Sequence, residues 1–146
     1  MTIERLGPGR AARARELFAL LARVFDERQE ALDQAYLEGL LDDQRFWALA
    51  AVEDEGIIGG LTAWELPLTA RQSHELMIYD LAVDPAHWRQ GVGGRLVGAL
   101  REQAREQAIR VAWVPVDNED THALDFYRAI GGTAEPVTIV TFGEPS

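Results

Sequence analysis

Tyr79-Asp80-Leu81-Ala82-Val83-Asp84-Pro85-Ala86-His87-Trp88-Arg89-Gln90-Gly91-Val92-Gly93-Gly94-Arg95-Leu96 is the stretch on which the fold of this chain turns. It sets an apolar strand, a short proline-containing connection and a glycine-rich turn directly ahead of an amphipathic helix. That helix spans Gly93 to Gln107, with Leu96, Val97, Leu100 and Ala104 on one stripe. Such an arrangement suits an anion. Glycines let the backbone approach closely, and a helix N-terminus points unpaired N–H groups and a partial positive charge outward. Arg89, Gln90 and Arg95 add side-chain donors where a pyrophosphate would sit. Two other phosphate loops fit less well. A dinucleotide loop wants G-x-G-x-x-G directly after a strand, yet Leu96 stands at the third glycine position and seven residues separate Val83 from Gly91. An NTPase loop needs a lysine, and the chain has none. For the glycines taken alone, a simple helix cap is the plain alternative.

Working outward, Thr2 to Leu6 reads as a short strand, and Leu17, Leu20, Leu21 and Val24 give helical spacing to the segment that follows Pro8. Gln34 to Leu41 reads as a second, shorter helix. The polar stretch Asp26 to Asp33 between them is a loop suited to a substrate entrance. Phe46 to Val52 and Ile57 to Leu66 form a hairpin across the turn Glu53-Asp54-Glu55-Gly56, and Pro67 to His74 loops. Met77 to Val83 is an apolar central strand broken only by Asp80. Beyond the glycine-rich helix, Arg110 to Val116 is β-rich and Thr121 to Ile130 is helical, stopped by Gly131-Gly132. Val137 to Phe142 is expected as a closing strand. With no repeat, low-complexity tract or linker, residues 1–146 read as one α/β domain.

Composition narrows the function classes. The chain has 146 residues, 47% hydrophobic and 26% charged, as expected of a soluble globular domain. No apolar run approaches the ~20 residues that span a bilayer, and the start Met1-Thr2-Ile3-Glu4-Arg5 does not resemble a secretion signal. A cytoplasmic location is the expectation. Cysteine is absent, which removes disulfides, thiolate metal sites and a cysteine nucleophile. His74, His87 and His122 show no ligand spacing, so no metal is expected. The net charge of −10 argues against nucleic acid, whose binding depends on neutralising phosphates. It favours a cationic small molecule, although solubility alone would account for it.

The string "DLAV" followed by proline and Arg89-Gln90-Gly91-Val92-Gly93-Gly94 resembles the acetyl-CoA signature of the GNAT superfamily of N-acetyltransferases. The segments "IYDLAV", "HWRQGVGGRL" and "VDNEDTHALDFYRAIG" resemble type I aminoglycoside 3-N-acetyltransferases in particular. The departure is local: the acidic loop keeps its own arrangement of Asn118, Glu119 and Asp120, and Phe126 precedes Tyr127, while the order of elements resembles the family over essentially the whole chain. The resemblance implies a single-domain fold with a mixed, mostly antiparallel central sheet flanked by about four helices, and a homodimer with Val137–Phe142 as a candidate interface. It implies that acetyl-CoA binds through Arg89, Gln90, Gly91, Val92, Gly93, Gly94 and Arg95, with the amides of Leu81, Ala82 and Val83 pairing with the pantetheine arm where their strand splays from its neighbour.

Acetylating an amine requires a neutral nucleophile, stabilisation of charge on the carbonyl oxygen and a proton for the leaving thiolate. By the resemblance, Tyr127 is the proton donor; packing beside Leu124 and Ile130 is its alternative role. Carboxylates are the candidates for binding and deprotonating the amine: Glu75, Asp80, Asp117, Glu119 and Asp120. Asp80 stands out, because a charge in an apolar strand needs a partner or a wet cleft. Asp120 equally suits a helix N-cap. Three functions stay open on these residues: an aminoglycoside 3-N-acetyltransferase, an acetyltransferase for a polyamine or other small or protein amine, and a non-catalytic acyl-CoA-binding module.

Overall fold

The computed structural model describes residues 1–144, so the domain span read from the sequence ends two residues beyond them. The chain divides into two units, Met1–Pro115 and Val116–Ser146. The first holds β1 (Thr2–Arg5), α1 (Ala11–Val24), α2 (Gln34–Asp42), β2 (Phe46–Glu53), β3 (Gly56–Pro67), β4 (His74–Val83), a 3₁₀ turn (Pro85–His87), α3 (Val92–Glu106) and β5 (Ala112–Trp113). The five strands lie in sequence order in one sheet; β1 to β4 are antiparallel and β4–β5 is parallel.

β2 shows how the sheet is buried on both faces. Trp47, Leu49 and Ala51 join Leu96, Leu100 and Ala104 of α3 in one core, while Phe46, Ala48 and Ala50 join Leu17, Leu20, Leu37 and Leu41 of α1 and α2 in the other. The continuous apolar run in the sequence is therefore a two-sided strand, as the period of two requires. Ala48, Ala50, Gly60 and Ala82 keep part of the face beneath α1 small. At Gly60 a Cβ would run into Leu17 and come within 2.7 Å of the Leu49 carbonyl, so glycine is what lets the helix sit close. Asp54 and Glu55 both take positive φ (50° and 65°) in the two-residue turn of the β2–β3 hairpin. Arg13 of α1 holds that turn by donating to the Glu55 carbonyl at 2.7 Å.

Several boundaries differ from the sequence expectation. α1 starts at Ala11 rather than near Pro8, since Gly9 takes φ +85° and Arg10 is the N-cap. β4 already begins at His74, three residues before the expected Met77. The β-rich Arg110–Val116 yields only Ala112–Trp113 as strand, because β4 and β5 pair at only two positions, Leu76–Ala112 and Met77–Trp113.

In the second unit, α4 runs Thr121–Ala129. The Asp120 side chain accepts the Ala123 N–H at 3.0 Å as its N-cap. The helix ends in a Schellman motif: Gly131 N–H donates to the Arg128 carbonyl and Gly132 N–H to the Tyr127 carbonyl. The expected closing strand Val137–Phe142 does not form. A strand exists only by pairing, and no ladder partner for this segment occurs among the described residues. Val137, Ile139, Val140 and Phe142 are left strongly exposed.

Candidate active site

One extra residue in β4 organises the site. Thr62 pairs with Asp80, but the next residue of β3, Ala63, pairs with Ile78, so Tyr79 has no opposite number. Such a bulge reverses the alternation of side chains. Leu76 and Ile78 face the α3 core before it; after it Leu81 and Val83 do, while Ala82 joins the α1 core. A regular strand would have buried Asp80 with Leu76 and Ile78 under α3. The bulge turns it to the α1–α2 face instead. There Thr62, buried at 4% exposure, donates its hydroxyl to Asp80 Oδ2 at 2.5 Å. The aspartate in the apolar strand thus has both a partner and a cleft.

That cleft is a cavity of about 270 Å³ between the sheet and the two first helices. Asp80, Tyr79, Thr62 and Trp64 come from β3 and β4, Phe18 and Leu21 from α1, Tyr36 and Leu40 from α2, and Phe46 from β2. Phe25 and Glu27 follow α1, and Leu32 precedes α2. The polar loop Asp26–Asp33 does border a cleft, supplying Glu27 and Leu32. Burial holds the Asp80 carboxyl above its ordinary range; the Thr62 hydrogen bond pulls the other way, and the Glu27 carboxylate adds to the rise. A carboxylate with raised proton affinity beside a second carboxylate is suited to receive a cation and to take a proton from it. Thr62 is not signalled by the sequence and becomes visible only once the bulge fixes which residues share a face, while Glu27 is signalled only as one residue of the polar Asp26–Asp33 loop.

The continuation of the same strand builds the second feature. Gly91, at φ +77°, is the N-cap of α3, and Arg95 N–H closes the first turn on its carbonyl at 3.1 Å. By helix geometry the N–H groups of Val92, Gly93 and Gly94 have no intrahelical acceptor, the arrangement that suits an anion at a helix N-terminus. Arg89, itself at φ 64°, and Gln90 are exposed in the approach. Arg95 instead reaches back to the Met1 carbonyl at 3.4 Å.

β4 loses its β5 neighbour after Met77, so the edge from Ile78 to Val83 is open on that side among the described residues. The Asp84 N–H donates to Ile58 of β3 at 2.8 Å, and alternation back from it turns the backbone groups of Ala82 toward β3. Those of Leu81 and Val83 face the open edge. The expectation of three successive free amides is corrected accordingly: Ala82 N–H belongs to the β3 ladder. The Val83 carbonyl is taken by the Trp88 indole N–H at 2.7 Å, which closes the end of the strand.

The other candidates stand as follows. Glu75 lies in β4 opposite Leu66 and outside the cavity lining. In the second unit Asp117 accepts the Glu119 N–H at 2.9 Å, Asp120 caps α4, and Glu119 is exposed. Tyr127 of α4 is half-buried, its ring 5.0 Å from that of Phe126. Burial, with the Asp120 carboxylate, pushes its phenol up to about 12. His74 pairs with Glu65 at 3.0 Å. Among the described residues no group of three or more His, Cys, Asp or Glu side chains is placed to hold a metal ion.

The chain is similar to solved aminoglycoside acetyltransferases. The protein meta-AAC0020, from an uncultured soil metagenomic sample and crystallised with sisomicin, matches with TM-score 0.92 and 31% identity over 99% of this chain and 96% of that one. A second, HMB0005, also from an uncultured soil metagenomic sample, matches with TM-score 0.88 and 32% identity over 99% of this chain and 97% of that one. A [ribosomal protein bS18]-alanine N-acetyltransferase of Haemophilus ducreyi is 35% identical over 57 residues, and the match spans only 39% of either protein. The model of the acetyltransferase (GNAT) family matches residues 14–131, which hold the bulged strand, the open edge and the glycine-capped helix, and the chain belongs to that family.

Proposed function

We propose that this chain, acting as one domain over residues 1–146, transfers the acetyl group of acetyl-CoA to the 3-amino group of an aminoglycoside and thereby confers resistance. The carrying observation is the bulged strand. It presents Asp80, with Glu27 near it, to a cavity on one side and leads directly into an open edge and an anion-binding helix end. The likeness to aminoglycoside acetyltransferases over nearly the whole chain supports the substrate class.

When bound, acetyl-CoA supplies the activated acetyl thioester. Val92, Gly93 and Gly94 would offer backbone N–H groups to its phosphates, with Arg89 and Gln90 beside them, and the Leu81 backbone and the Val83 N–H would offer a strand edge to its amide-bearing arm. Asp80 and Glu27 bind the substrate ammonium. Asp80 takes its proton, leaving a neutral amine to attack directly in a ternary complex; positioning does much of the remaining work. Tyr127 keeps its proton well above neutral pH, which fits the role of proton donor to the leaving thiolate that the resemblance implies. By the resemblance, Asp117, Glu119, Asp120 and Glu75 are the further candidates for binding the ammonium groups of a polycation. The exposed Val137, Ile139, Val140 and Phe142 form the seam of a homodimer.

Free-thiol release from acetyl-CoA should be rapid with gentamicin, and NMR of the product should place the acetyl group on the 3-amine. Release with spermidine or an alanine-initiated bS18 peptide, and none with gentamicin, would keep the family chemistry and replace the substrate. Two substitutions separate the proton acceptor from the donor. Thr62→Val removes a bond that holds Asp80 ionised, so the acid limb of the kcat/KM profile should move to higher pH, with Thr62→Ser restoring it; an unmoved limb removes Asp80 as base. Tyr127→Phe should lower kcat by about 10²-fold, within the range of lost acid catalysis, with acetyl-CoA affinity retained. Light scattering should report twice the chain mass, and Phe142→Asp should reduce it to one.

A further inference from the structure

The acceptor cavity gathers half of the chain's aromatic side chains, which number five Phe, four Trp and three Tyr in all. Three of them form its floor. Phe18 meets Phe46 edge-on at 6.2 Å between ring centres, and Phe46 meets Trp64 at 5.0 Å. The other three, Phe25, Tyr36 and Tyr79, are 44%, 56% and 66% exposed. They stand on three separate elements: the end of α1, the first turn of α2 and the bulge of β4. Large exposed aromatics brought together from three elements around one cavity have no packing role that explains them, and an exposed apolar patch at a concave site is a ligand surface.

The chemistry of that rim restricts the ligand. Aromatic faces attract cations and the C–H groups that an ammonium polarises, and a flat face makes most contact with another flat face. Carboxylates are few: within the lining only Asp80 and Glu27 are acidic. An open-chain polyamine spreads its charges along a methylene chain and gains most from carboxylates spaced along a groove, which this cavity lacks. Size points the same way, since about 270 Å³ lies below the ~300–1,000 Å³ that drug-sized ligands fill and suits one ring of a larger molecule.

We propose that Phe25, Tyr36 and Tyr79 are specificity-determining residues that lie against the C–H face of a saturated, amine-bearing ring, so that the cavity selects cyclic amines over open-chain amines of equal charge. The proposal rests on reading this cavity as the acceptor site. Tyr79 has a particular position in it: the same bulge that aims Asp80 into the cavity sets Tyr79 at its mouth, so the ring-reading surface and the carboxylate share one backbone feature.

The test compares two dications, 2-deoxystreptamine and 1,5-diaminopentane, by calorimetry and by the fluorescence change of the protein, whose Trp64 lines the cavity. Saturating CoA is present throughout. The unaltered enzyme should bind the ring about tenfold more tightly than the open chain, the scale of one good aromatic contact. Phe25→Leu, Tyr36→Leu and Tyr79→Leu should each cost the ring several-fold and leave the open chain within about twofold. These residues are exposed, so the changes leave the core intact. Equal affinities in the unaltered enzyme, or parallel losses for both dications in all three variants, would overturn the proposal. Neither readout needs acetyl transfer. An enzyme that prefers the ring yet acetylates no aminoglycoside would defeat the functional reading alone; one that acetylates gentamicin without ring preference would defeat this inference alone.

Discussion

A single unpaired residue, Tyr79, sets the phase of β4, and the rest of the site depends on that phase. In a regular strand Asp80 would fall on the face of Leu76 and Ile78, among the apolar side chains beneath α3. An unpaired carboxylate there would cost several kcal/mol or remain protonated. The bulge instead delivers it to Thr62 and to a cavity, and returns Leu81 and Val83 to the α3 core. The polar group and the apolar ones are both placed correctly only because the strand carries one residue more than its partner.

The same strand then governs what happens at its end. Because β5 is short and parallel, pairing on that side stops at Met77 among the described residues, and the N–H groups of Leu81 and Val83 are left on the open edge. The glycine at φ +77° lets the chain turn from this edge into α3, whose first N–H groups point out of the helix. A carboxylate facing a cavity, an extended edge and a helix N-terminus therefore follow one another along the sixteen residues Tyr79 to Gly94. Packing rather than chemistry fixes their order: α3 is held by Leu96, Leu100 and Ala104, and α1 by the small residues that admit it.

Much of this is legible in the residues alone. The helical stripes, the two-sided run of β2, the capped ends of α4 and the glycine-rich turn each express a local rule, and each lies where its period or its cap residue places it. Asp80 is visible too, as a charge in an apolar strand. What cannot be read is which face it occupies, because apolar residues stand on both faces of Leu76 to Val83 and hide the phase shift that the bulge introduces. Thr62, Glu27 and the aromatic rim depend on that register and on the approach of α1 and α2, so they surface only with the tertiary structure. Val137–Phe142 shows the reverse error: β propensity describes a segment that would pair well, and pairing needs a partner that propensity does not supply.

The most direct measurement is steady-state kinetics of Asp80→Asn alongside its acetyl-CoA affinity. Asparagine keeps the shape of the side chain and an acceptor for Thr62 while removing the negative charge and the capacity to take a proton. The bulged-strand account gives a fall in kcat/KM for the amine of at least about 10²-fold, the scale of lost general-base catalysis, with acetyl-CoA binding unchanged. Full turnover by the variant would show that the carboxylate turned into the cavity is structural and that amine binding and deprotonation lie elsewhere.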